Sequence, residues 1–187
     1  MSARPTSPQQ HGPAVGRRLR ELREARDLTL SELARQAGVG KATLSGLENG
    51  TRDPRLETLY AIAAALGVPM SALTLERGAP ASAAAPVRGE AVMSTLLEVF
   101  EEPAATYELF ALRIITDVEQ VSPAHPAGVT EHLTVFCGHA RVGPIDAPLS
   151  AGPGEHVSWT ADTPHLYATA GPVAVEATLL IRTPSAG

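Results

Sequence analysis

Between Leu28 and Gly67 the chain reads LTLSELARQAGVGKATLSGLENGTRDPRLETLYAIAAALG, and this run constrains the fold more than any other. Apolar residues recur three and four apart and are punctuated by glycines, which specifies short helices separated by sharp turns. Thr29 or Ser31 caps one helix, which runs to about Ala37 and ends at Gly38. A second begins after Gly40, spans Lys41 to Glu48 and ends at Asn49-Gly50. A loop containing Pro54 leads to a third, from about Leu56 to Leu66, which stops before Gly67-Val68-Pro69. Upstream, Val15, Leu19 and Leu22 share one face of a helix over about Val15–Arg26, and a short last helix begins near Ser71. Ala34 is small enough to let two helices cross closely, while Val39, Leu44 and Leu47 pin the next helix in place.

This order of residues, with its L-E-N-G helix end and following D-P, resembles the lambda-repressor-like (XRE) family of helix-turn-helix domains found in bacterial regulators. The resemblance implies that the Lys41–Glu48 helix enters the major groove of double-stranded DNA. On that mapping Lys41, Ala42, Ser45 and Gly46 face the bases, and Thr43 among them reaches a phosphate. Asn49, Thr51 and Arg52 fall at phosphate positions. Each of these residues has a plainer reading as part of a solvated helix face. For Glu48 an internal ion pair is the better reading, and the Arg17, Arg18, Arg20 and Arg23 run reads as a charged surface. One such domain reads few base pairs, so the resemblance further implies a homodimer on an operator with two half-sites.

From about Val92 the period changes. The runs TYELFALRII, HLTVFCG, HVSWTA, HLYATA and VAVEATLLI are β-prone and are broken by Pro/Gly clusters, which indicates an all-β barrel or sandwich. The expected organisation is therefore a multidomain α plus all-β chain. Residues 1–13 form a disordered tail, 14–75 an all-α five-helix domain, 76–90 an Ala/Pro/Gly-rich linker and 91–187 an antiparallel β-barrel. Charge divides at the same place. Residues 1–75 hold ten Lys/Arg against seven Asp/Glu, whereas residues 76–187 hold five against thirteen. The basic part suits phosphates; the acidic part does not.

The β region resembles the cupin family of small barrels. His125, Glu131 and Gly138 fit its first motif, with Ala127 where a second His would stand. Gly154 and His165 fit its second, with Thr160, Asp162 and Thr169 replacing Pro, Gly and Asn. The resemblance implies that His125, Glu131 and His165 converge inside the barrel. They would hold a divalent Zn, Fe, Ni or Mn, or without metal would hydrogen-bond an organic ligand. Alternation places Glu131, Leu133, Val135 and Cys137 on one strand face, with Cys137 a buried small apolar residue. His132, His139 and His156 read as surface or strand-edge residues. Trp159 reads as either core or pocket wall; Tyr107, Phe110 and Tyr167 raise the same question, with core the favoured reading.

Together these resemblances imply a DNA-binding transcriptional regulator, not an enzyme, whose cupin domain senses a small-molecule effector or a metal. The alternative is a mononuclear iron oxygenase or epoxidase with an accessory helix-turn-helix. No apolar run is long enough to span a membrane, and the N-terminus lacks a secretory h-region. With a single cysteine, Cys137, the chain suits a cytoplasmic setting.

Overall fold

The computed structural model describes residues 12–75, 79–81 and 84–185. The tail expected over residues 1–13 therefore lies almost wholly outside the described residues. Among the described residues, five helices precede ten strands; the helices are α1 (Gly12–Glu24), α2 (Leu30–Gln36), α3 (Lys41–Glu48), α4 (Leu56–Leu66) and α5 (Ser71–Thr74). α3 and α4 have the bounds expected. α1 starts three residues before the expected Val15, because Pro13 is tolerated in a first turn whose N–H groups have no intrahelical partner. Thr29 is the cap of α2. Its hydroxyl accepts the Glu32 amide at 3.2 Å, and the Glu32 carboxylate accepts the Thr29 amide at 2.8 Å, a reciprocal box.

α1 crosses α3 with almost no gap. A Cβ on Gly16 would stand 2.1 Å from the Leu47 carbonyl oxygen, so only glycine permits this approach. Beside the crossing, Glu48 is buried and accepts from Arg23 at 2.7 and 3.0 Å and from Arg20 at 3.2 Å. Arg18 donates to the Ala72 carbonyl of α5 at 3.0 Å. Arg18, Arg20 and Arg23 are thus struts between helices, where the sequence pattern had suggested a solvated charged surface.

Ten strands follow: β1 (Val87–Arg88), β2 (Val92–Glu102), β3 (Ala105–Ile114), β4 (Gln120–Ser122), β5 (Thr130–Cys137), β6 (Ala140–Pro144), β7 (Leu149–Ala151), β8 (His156–Thr160), β9 (His165–Thr169) and β10 (Val175–Pro184). They form two antiparallel sheets, in the orders β1-β2-β3-β10-β5-β8 and β4-β9-β6-β7. This is the antiparallel all-β region expected after the helices, laid out as two sheets. The segment read as a linker contains β1 and the buried Ala84.

Alternation along β5 holds as far as Val135: Glu131, Leu133 and Val135 are buried. Cys137, expected to continue that face inward, is instead exposed. The β5–β10 register slips here, pairing Ala177 with Val135 but Glu176 with Cys137, and leaves Phe136 as the extra residue of a bulge. The slip turns both Phe136 and Cys137 to solvent.

Helices and sheets are docked to each other, and their buried apolar residues form one contiguous cluster. α4 forms most of the seam. Glu57 accepts the Glu90 amide at 2.8 Å, Arg55 makes a parallel bridge to Arg88, and Tyr60 is buried against the barrel. On α5, the Ser71 amide donates to Glu108 of β3, a carboxylate that is 1% exposed.

Candidate functional site

Two groups of residues were singled out from the sequence, and each is gathered in space. The first surrounds α3. Lys41 and Ala42 are exposed in its first turn, and Gly40 caps the helix without a side-chain bond. Thr43, Ser45 and Gly46 are half-buried, whereas Asn49, Thr51 and Arg52 are exposed. Local bonds tie the group together. Arg52 donates to the Thr43 hydroxyl at 3.3 Å, the Asn49 amide to Ser45 at 3.4 Å, and the Thr51 hydroxyl to the Gly46 carbonyl at 3.1 Å. Arg20 also reaches the Asn49 side-chain oxygen at 3.0 Å. Gly46 has a role that the sequence mapping does not show. A Cβ there would come within 2.8 Å of the Arg52 Cδ, so the missing side chain provides the bed on which the Arg52 stem lies.

The second group lies in the β region. β5 carries Glu131 inward, β9 begins at His165, and the loop between β4 and β5 supplies His125. Their ligand atoms all lie within 4.8 Å of one another. The His125 Nε2–H donates to Glu131 Oε1 at 2.9 Å. His165 Nε2 lies 3.4 Å from the same oxygen but makes no hydrogen bond. At its other nitrogen, Nδ1–H donates to the Thr163 carbonyl at 2.9 Å, which fixes the tautomer and leaves the Nε2 lone pair facing the carboxylate when the ring is neutral. The far oxygen of Glu131 accepts from the Tyr167 hydroxyl.

Electrostatics follow from this packing. Burial pushes the Glu131 carboxyl up, but the His125 bond and the close approach and charge of both imidazoles outweigh it and hold the group at about 2. Burial lowers His165, and the Glu131 carboxylate close to its Nε2 more than reverses that, so its pKa is raised. Burial, reinforced by the Glu131 charge, drives the Tyr167 hydroxyl well above its ordinary value and keeps it a neutral donor.

These residues suit a divalent cation. A neutral His165 would point a lone pair at an anion unless a proton or a cation stood between them, and its Nε2 is a buried polar atom without a hydrogen bond. Two donors at ~2.1 Å from one metal stand ~3.0 Å apart at a right angle and ~3.4 Å apart at a tetrahedral angle. The two His-to-Glu131 separations of 2.9 and 3.4 Å are close to those edges, while the cluster as a whole spans up to 4.8 Å, beyond the ~4.2 Å that two such donors can reach across one metal, so a ring must shift for both imidazoles to bind.

Ala127, at the position of the second cupin His, is exposed and adds no ligand. His139 and His156 are exposed and His132 is half-buried, all outside the cluster; His132 and His156 stack on each other at 5.7 Å. Trp159 and Phe110 are buried and Tyr107 is half-buried, with Trp159 packed 6.2 Å from the His165 ring. Two site residues escape the sequence reading. Tyr167 had been read as core, yet it bonds Glu131 directly. Tyr60 comes from the helical region, and its ring stands edge-on to His125 with centroids 4.8 Å apart. One signal points to Tyr60: LETLYAIAAAL is apolar almost all round, as a helix packed on two sides must be.

The Helix-turn-helix family model matches residues 19–73. The HTH-type transcriptional regulator SutR of Escherichia coli is 30% identical, over 89% of this chain and 93% of its own length. The uncharacterised HTH-type transcriptional regulator RghRB of Bacillus subtilis is 33% identical, over 64% of this chain and 79% of its own. The crystal structure of an HTH_3-family transcriptional regulator from Vibrio cholerae superimposes with a TM-score of 0.77 at 25% identity. That match covers 94% of this chain and 98% of the other.

Proposed function

The chain belongs to the HTH-type transcriptional regulators, and we propose that it binds its operator as a homodimer, under control of a divalent cation or small molecule held by His125, Glu131 and His165. The observation that carries this reading is the pairing, in one docked chain, of an exposed α3 surface with a buried two-His-one-carboxylate cluster. On the DNA side, Lys41 and Ala42 in the first turn of α3 face the bases, with Ser45 and Gly46 one turn on. Lys41 donates to guanine acceptors, and Ala42 contacts a thymine methyl. Thr43, Asn49, Thr51 and Arg52 take phosphates, so base readout is sparse and DNA shape shares in specificity. No helix among the described residues is long and apolar enough to cross a membrane, and the regulator acts in the cytoplasm, where DNA is.

On the sensor side, Zn, Fe, Ni or Mn would be held by the two imidazoles and the Glu131 carboxylate. When bound it supplies open coordination positions for an oxygen- or nitrogen-bearing effector. Glu131 stays ionised, Tyr167 neutralises its outer oxygen, and the Thr163 carbonyl orients His165.

Lys41→Ala with Arg52→Ala tests the DNA face on duplexes selected by the wild-type protein. Removing two contacts is expected to lower affinity by tenfold or more and to flatten the salt dependence by roughly one to two units of slope. Wild-type binding by the double variant would place the interface elsewhere. Metal-dependent oxygen consumption that disappears in His165→Ala would replace regulation by oxygenase chemistry.

A further inference from the structure

The ligand cluster is not enclosed by the barrel alone. Tyr60 of α4, only 6% exposed, sets its ring edge against His125 at an interplanar angle of 84°. His125 in turn stacks on His165 at 5.3 Å and donates to Glu131. α4 is also the helix that follows the Thr51–Arg55 loop, and so follows α3 directly. We propose that Tyr60 is a positioning residue that couples occupancy of the His125–Glu131–His165 site to the helical DNA-reading region through α4. This inference rests on the proposed metal reading and adds to it the route of regulation.

The argument concerns which ligand can yield. A cation shared by both imidazoles needs each Nε2 at ~2.1 Å, so the rings must adjust to it. His165 is tied through Nδ1 to the Thr163 carbonyl. Among the described residues none makes such a tie to the second nitrogen of His125, and Tyr60 lies against its ring. Adjustment therefore falls on His125 and is felt by Tyr60, across a seam whose cavity beside both rings, lined also by Glu108 and Val129, holds only about 10 Å³, the room for about one water. Tyr60 does not move alone, because α4 is tied to the barrel at Glu57–Glu90 and α5 at Ser71–Glu108. The helices then respond as a unit. A ligand that favours one setting of this seam shifts how the helical region is held, and DNA bound there shifts ligand affinity by the same factor.

Amide hydrogen exchange of the full-length protein with and without saturating Zn(II) tests this. In wild type, Zn(II) is expected to slow exchange in β5 and β9 and also in α4, the latter by about fivefold or more, the lower end of ordinary coupling. In Tyr60→Leu, which removes the ring edge, slowing in β5 and β9 remains and slowing in α4 falls below about twofold. Tyr60→Phe restores the transmission, which a merely stabilising role for the hydroxyl would not do. Glu108→Gln, at a residue that shares the cavity beside Tyr60 and His125 but hydrogen-bonds none of the three ligands, weakens transmission to α5 and keeps the test open should Tyr60→Leu not fold. Slowing confined to the barrel in wild type overturns the coupling and leaves the metal site standing. Zn(II) effects that persist in His165→Ala, or no effect in wild type, overturn the metal reading and the coupling with it.

Discussion

Glu48→Gln isolates the strut that holds the helical region together. The carboxylate accepts three bonds, two from Arg23 at 2.7 and 3.0 Å and one from Arg20 at 3.2 Å. The Arg20 side chain is 48% exposed, so its share is small, within about 1 kcal/mol. The Arg23 side chain is 13% exposed and would keep its bond to the Leu28 carbonyl and its 3.5 Å contact with the exposed Glu24, but would face a neutral amide in place of Glu48. Bonds to charged groups are worth ~1.5–3 kcal/mol each and are not additive within a pair. We therefore expect a loss of about 3 kcal/mol, or roughly 1–2 M in the urea midpoint, read by circular dichroism at the helix band. The sign of the pH dependence follows from the direction of the shift. Burial raises the Glu48 pKa, and bonds and charge from Arg23 and Arg20 bring it net below its ordinary 4.5. The stability it adds is thus complete above the unfolded value and lost as pH falls through the folded one. Glu48→Gln should abolish that acid-side loss. A variant within about 0.5 kcal/mol of wild type at pH 7, a typical surface effect, with an unchanged acid slope, would refute the reasoning.

Gly16→Ala should cost about 2–3 kcal/mol in the same urea assay, because the added methyl meets the Leu47 carbonyl and the helices must part. Gly46→Ala should leave stability nearly unchanged yet displace the flexible Arg52 stem, lowering DNA affinity several-fold and the salt slope by about one. Zn(II) affinity, measured by competition with a chromophoric chelator, should fall as pH drops below the raised pKa of His165, by about tenfold per unit for one displaced proton. His165→Ala should remove binding.

The helices were legible in detail because their signals are local. Gly40 and Asn49-Gly50 bracket α3, and Gly67, left-handed at φ 64°, terminates α4. His125, Glu131 and His165 were legible as a set because their spacing matches a family motif, although nothing local shows that the rings meet. Strands of three residues such as β4 and β7 were not, since so short a run carries no alternation to read. Cys137 went wrong for a non-local reason: the bulge that exposes it depends on how β10 pairs. Tyr167 looked like core because it stands in the apolar run HLYATA, and such a pattern does not distinguish a side chain that fills space from one that bonds a carboxylate.

The placement of Tyr60 bears on how chains of this architecture can be recombined. A reading head is commonly pictured as a cassette that can be exchanged whole, cut at the connector after the last helix. Here that cut would separate Glu57 from Glu90 and Tyr60 from His125, giving a chimera with a foreign wall on its ligand chamber. The seam that permits exchange lies earlier, between α3 and α4. A graft that keeps residues 56–75 with their own β region exchanges α1, α2 and α3 together, and it needs an arginine at position 18 to keep the bond to the Ala72 carbonyl, while Tyr60 stays against His125.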